Sequence, residues 1–103
     1  MNKFGFERLL IEKNYDDFPS FYKESKDIIY RKIIDTFESA KASGKETQTL
    51  IVTARIENQP FDTDFPIIKS DPGLLMRIIP YFESIEDYET CGKIMKLYSE
   101  LAN

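Results

Sequence analysis

The chain has 103 residues, 42% of them hydrophobic and 31% charged, with a formal charge of −4 and no histidine. That length allows one domain with its own core, and the composition argues against disorder or a fibrous repeat. A single cysteine, Cys91, and the lack of histidine exclude Cys/His zinc sites, haem sites, a disulfide framework and every His-based triad.

The N-terminal segment carries little of a secretory signal. Its first apolar run, Leu9-Leu10-Ile11, is short and flanked by Glu7, Arg8, Glu12 and Lys13. Phe6, Leu9, Leu10 and Lys13 recur at i, i+3, i+4, i+7, which permits a short helix, while Phe4-Gly5-Phe6 equally suits a strand. Asp17 or Phe18 can cap a helix with Pro19 in its first turn. From Pro19 to Ser43 the pattern is helical. Phe18, Phe21, Tyr22, Ile28, Ile29, Ile33, Phe37 and Ala40 fill a broad apolar arc that Ile34 extends. An arc this wide implies a helix covered on more than one side, the spine of the domain. Gly44 supplies the left-handed residue that ends it.

Thr49–Glu57 reads as a strand, with Leu50, Val52, Ala54 and Ile56 on one face and Ile51, Thr53, Arg55 and Glu57 on the other. Asn58-Gln59-Pro60 reads as a hairpin loop and Phe61–Ile67 as the return strand, with Phe61, Thr63, Phe65 and Ile67 inward. Pro66 makes that strand an edge or nearly finished there. Ser70-Asp71-Pro72 predicts a helix start, and Leu74, Leu75, Ile78, Ile79 and Phe82 share a face, with Pro80 ending or kinking the helix. Ser84-Ile85-Glu86-Asp87 resembles a capping box. The last helix then buries Ile85, Tyr88, Cys91, Ile94, Met95, Tyr98 and Leu101, with Glu89–Lys93 as an i, i+4 pair on its wet side.

The fold expected is therefore a single α+β domain over 1–103, in the order helix, helix, β-hairpin, helix, helix. Its sheet is two-stranded and antiparallel, with room for a third strand, and is covered by helices. No run of apolar residues is long enough to span a membrane, and an inward-facing lone cysteine suits a reducing cytoplasm.

The charge is unevenly placed. Residues 1–47 carry nine basic and nine acidic groups, whereas residues 48–103 carry five basic and nine acidic, so the whole −4 lies in the second half. Asp62, Asp64, Glu83, Glu86 and Glu89 belong to it, and Ile51, Tyr81 and Leu97 lie out of phase with the apolar faces of their elements. These eight residues form the candidate partner-binding set: apolar anchors in an acidic surround, suited to a protein or ribonucleoprotein partner. Asp62 and Asp64 as a catalytic or hard-cation pair would need a cleft or further oxygens, which an exposed edge strand does not offer; discouraging edge pairing explains them better. Lys23, Lys26, Tyr30, Arg31 and Lys32 resemble a basic–aromatic nucleic-acid surface and carry the alternative reading, an RNA accessory module. Glu24, Asp27 and Asp35 interleave them, however, with Lys23–Asp27, Asp27–Arg31 and Arg31–Asp35 all at i, i+4. Self-association as a homodimer, by edge-strand pairing or through Leu97, is a third reading.

Cys91 has no histidine to activate it, and the glycines lie too far apart for a phosphate-cradling loop. No enzyme activity, metal or cofactor is expected. In size and acidic composition the chain resembles the small proteins that phages and prophages use to inhibit bacterial defence enzymes, anti-CRISPR proteins among them. The likeness is carried by size and composition and by no residue motif, so no site residue transfers. It implies direct binding to a CRISPR nuclease or to its guide-RNA complex.

Overall fold

The computed structural model describes residues 4–102 and runs β1 (Phe4–Tyr15), α1 (Phe18–Ser43), β2 (Thr47–Ile56), β3 (Gln59–Ile68), α2 (Gly73–Ser84) and α3 (Tyr88–Ala102). The signal reading at the N-terminus falls partly on residues 1–3, outside the described ones.

Helix α1 organises the rest. Asp17 caps it by accepting a hydrogen bond from the Ser20 N–H at 2.8 Å, which draws the Asp17 carboxyl below its ordinary value. Gly44 ends it at φ 73°, in the left-handed region that favours glycine. Between them Phe21, Ile29, Ile33, Ile34, Phe37 and Ala40 are buried. Two polar residues are buried with them, and each satisfies itself: the Ser25 and Thr36 hydroxyls donate to the Phe21 and Lys32 carbonyls one turn back. Phe18, Tyr22 and Ile28, expected in the same arc, are half exposed because they lie at its margin. The expected spine is borne out, since α1 touches all five other elements.

The sheet corrects the expected order. The N-terminal segment is a strand, and it pairs parallel with β2, while β2 pairs antiparallel with β3, giving a mixed sheet of order β1-β2-β3. The chain therefore opens with a β–α–β unit in which α1 is the crossover that a parallel pair requires. The helical spacing of Phe6, Leu9, Leu10 and Lys13 arises because both faces of β1 carry apolar residues, which blurs the period of two. One face of the sheet lies under α1: Leu50, Val52, Ala54 and Ile56 of β2, Ile67 of β3 and Tyr15 of β1 are buried there, with Leu9 and Ile11 packed against them.

The hairpin turn is Glu57-Asn58 rather than Asn58-Gln59-Pro60. Both residues have positive φ, 52° and 65°, as a two-residue turn of the primed type needs, so the return strand resumes at Gln59. Counting from the closing pair Ile56–Gln59, the hydrogen-bonded pairs are Ala54–Phe61, Val52–Thr63 and Leu50–Phe65. Pro60 and Pro66 take the alternate positions, where an N–H would face the free edge, so neither costs the ladder a bond.

The two C-terminal helices pack chiefly on each other and on α1. No side chain caps α2, against the expected role of Ser70 or Asp71, and Pro80 lies inside the helix, which continues to Ser84. Glu86 adopts φ 59° and the Asp87 N–H donates to the Phe82 carbonyl at 2.9 Å, closing α2 in a Schellman-like turn. The capping residue of α3 is Asp87, not Ser84: its carboxylate accepts from the Thr90 N–H and hydroxyl at 3.1 and 2.8 Å. The face expected to be buried is rotated. Leu97 is only 5% exposed, while Ile85, Tyr88 and Met95 are exposed, because α3 docks on α1 as well as on α2 and so turns Leu97 inward. The Glu89–Lys93 pair is not formed, since Lys93 reaches Glu38 of α1 at 3.2 Å.

Leu97→Ala is therefore expected to lower unfolding free energy by about 2–4 kcal/mol, measured by urea denaturation. A surface position would change it by only a few tenths.

Candidate functional site

Among the described residues, no helix lies on the face of the sheet away from α1. The residues of that face follow from register and alternation: Phe6, Arg8 and Leu10 of β1, Thr49, Ile51, Thr53 and Arg55 of β2, and Pro60, Asp62, Asp64 and Pro66 of β3. They form rows across the strands: Phe6–Thr49–Pro66, Arg8–Ile51–Asp64 and Leu10–Thr53–Asp62. Phe6 is 77% exposed and Leu10 58%, far more than large apolar side chains on a strand need be. Ile51 lies half-buried between them.

The polar groups on this face are ordered. Arg8 Nη1 donates to Thr53 Oγ1 at 3.3 Å, and that hydroxyl donates to Asp62 Oδ1 at 2.7 Å, one chain spanning all three strands. Arg8 sits on β1 and Asp62 and Asp64 on β3, with Ile51 and threonine hydroxyls between them and Arg55 of β2 nearer the turn. Near the turn, β1 uses four residue steps from Leu10 to Asn14 where β2 uses two, from Thr53 to Arg55. This bulge opens a shallow cavity of about 380 Å³ lined by Leu10, Ile11, Asn14, Thr53, Arg55 and Pro60 among others. Asn14 Oδ1 accepts from the Asn58 N–H at 2.8 Å, fixing the hairpin turn beside it.

The edges differ. Prolines remove two outward donors from β3, leaving Asp62 and Asp64 between them, whereas β1 has no proline and is broken only by the bulge.

The eight residues singled out from sequence divide three ways. Ile51, Asp62 and Asp64 are on the open sheet face. Glu83, Glu86 and Glu89 are exposed around the α2–α3 corner and do not join them. Tyr81 and Leu97 are not surface anchors. Tyr81 faces α1, where its hydroxyl donates to Asp27 Oδ1 at 2.8 Å, and burial followed by that hydrogen bond pushes its pKa up. Sequence reasoning missed Phe6, Arg8 and Leu10; the signal was the apolar residues on both parities of the N-terminal segment.

The basic–aromatic set is largely consumed internally. Arg31 bonds Asp27 through Nε and Asp87 through Nη2, both at 2.9 Å, and Thr90 through Nη1 at 3.3 Å, with its guanidinium 5.0 Å from the Phe82 ring centre. Tyr30 packs edge-on against Tyr81, their centroids 5.5 Å apart, and Lys32 reaches Glu7 at 3.7 Å. Of the three expected i, i+4 pairs only Asp27–Arg31 forms, because Arg31 turns towards Asp87 on the α2–α3 corner rather than to Asp35. Arg31 stays exposed but is held by its carboxylate partners, and Lys23 and Lys26 are the exposed members of the set outside that network.

Cys91 is buried and its thiol is pushed up by burial and then by Glu83 and Asp87, the reverse of what a nucleophile needs. Among the described residues no group of three or more cysteines and carboxylates is placed to hold a metal ion, and no helix is long and apolar enough to cross a membrane. No protein family, curated protein or solved structure matches the chain.

The Arg31 cluster has a pH signature. The hydrogen bond from Arg31 holds the Asp27 carboxyl below its ordinary value, and bonds from Thr90 and then Arg31 do the same for Asp87. A carboxyl lowered on folding contributes stability above its unfolded pKa of about 4 and loses it as pH falls through the lowered value. Arg31→Gln is expected to reduce the denaturation midpoint at pH 7 and to leave a shallower decline between pH 5 and pH 2 than the parent shows. Equal slopes in both proteins would contradict the linkage.

Proposed function

We propose that the protein is a non-catalytic binding protein whose open sheet face docks on a protein partner. The observation that carries this reading is the exposure of Phe6 and Leu10 on the one sheet face that no helix covers. Apolar side chains flanked by ordered charges of both signs are the makings of a protein interface. Phosphate recognition would ask for a net positive field. This chain carries −4, and on the basic helix the exposed Arg31 and Lys41 are already paired with carboxylates, which leaves Lys23 and Lys26. The partner surface that fits has an apolar centre, an acidic group to meet Arg8 and a basic one to meet Asp62 and Asp64. Within that reading, the small size and acidic balance favour an inhibitor of a bacterial defence enzyme, such as a CRISPR nuclease or its guide-RNA complex, of the kind phages and prophages encode.

A tagged chain passed through cell extract, with and without nuclease treatment, tests this. The expected result is a stoichiometric protein retained under both conditions. Phe6→Asp and Ile51→Asp should each weaken retention about tenfold or more, while Lys23→Glu with Lys26→Glu leaves it unchanged. Recovery of nucleic acid alone, or insensitivity to the sheet-face variants, would overturn the proposal.

A further inference from the structure

We propose that α3 pairs, antiparallel and across a twofold axis at Gly92, with α3 of a second copy of this chain. Three independent features of the helix converge on this partner. The first is an uncharged stripe. Tyr88, Gly92, Met95, Ser99 and Ala102 recur at i, i+4, i+7, i+11, i+14 on the exposed side of α3, with Tyr88 64% and Met95 57% exposed. Met76 of α2 is exposed beside the stripe, and Met76, Met95, Tyr98, Ser99 and Ala102 line a shallow groove of about 360 Å³.

The second is Gly92 itself. It stands in the second turn of a 15-residue helix, and a Cβ built there meets nothing within 4 Å. Nothing among the described residues requires a residue that weakens a helix relative to alanine. A second helix crossing at this point would require it, because only glycine lets two backbones approach so closely.

The third is charge. Of the charged residues on α3, Lys93 and Glu100 are engaged by α1, with Glu38 at 3.2 Å and Lys41 at 3.0 Å. Glu89 and Lys96 have no partner among the described residues. They border the stripe on one side and lie three residues before and four after Gly92. An antiparallel crossing at Gly92 sets each Glu89 against the partner's Lys96, twice by symmetry. It also sets each Tyr88 against the partner's Met95 and Ser99, at the mouth of the groove described above. A surface that is its own complement in charge and in shape is what a twofold interface demands. The contact is small, at the weak end of the range below about 1,200 Å², so the dimer forms at high protein concentration. It leaves the sheet face free and does not depend on that face having a partner.

Sedimentation equilibrium in low salt, over a concentration series reaching about 1 mM, tests the proposal. A monomer–dimer equilibrium is expected. Glu89→Lys and Lys96→Glu should each raise the dissociation constant about tenfold, and combining the two should restore it, since the swapped pair is again self-complementary. Gly92→Leu should abolish the dimer while retaining or raising the thermal unfolding midpoint, which separates loss of the contact from loss of the fold. A chain that stays monomeric throughout, single reversals without effect, or a dimer that survives Gly92→Leu would each overturn it.

Discussion

A single helix laid across one face of a three-stranded sheet sets everything else in this protein. The 26 residues of α1 span about 39 Å at the usual helical rise. They bury Phe21, Ile29, Ile33 and Phe37 on the sheet and on the two later helices at once. Because α1 connects β1 to β2, it fixes that pair as parallel and seals the side of the sheet on which it crosses. The α2–α3 hairpin then docks on α1, and Arg31 joins the two by binding Asp87 and Thr90 at the hairpin corner. These are half-exposed ion pairs, individually weak in water, so the apolar contacts of Leu75, Ile78, Phe82, Ile94 and Leu97 do most of the holding.

The other side of the sheet is what α1 leaves behind. It could have been made polar throughout, as one-sided sheets usually are. It carries Phe6, Leu10 and Ile51 instead, framed by Arg8 on β1 and by Asp62 and Asp64 on β3. The acidic half of the sequence therefore does not form one surface. Two of its carboxylates belong to the sheet face, Asp87 is spent on Arg31, and Glu83, Glu86 and Glu89 surround the helical corner. The unevenness of charge along the chain marks two separate places on the folded molecule.

How much of this was legible in the sequence depended on whether local rules and tertiary packing agreed. Where they agreed, as at Asp17, Pro19 and Gly44 around α1, or in the alternation of Leu50, Val52, Ala54 and Ile56, the elements could be read within a residue or two. The parallel pairing of β1 could not, because parallel register depends on contacts more than forty residues apart and leaves no local turn signature. Its strand period was hidden by Phe6 and Leu10 on the solvent side. The residues that obscured the fold are thus those that now define the candidate site, which is where a sequence is expected to depart from folding rules. Leu97 failed for a different reason. Its helix has two neighbours rather than one, so the buried arc is wider and rotated relative to a single apolar stripe.

The central claim is that β1 is a strand presenting Phe6 and Leu10 to solvent while α1 seals the opposite side. Hydroxyl-radical footprinting of the isolated chain at low concentration tests it most directly. Phe6 and Leu10 should be modified rapidly, whereas Phe21, Phe37 and Phe82 stay protected. Protection of Phe6 and Leu10 to the level of Phe37 would mean that this face is covered within the chain itself, and would contradict the account.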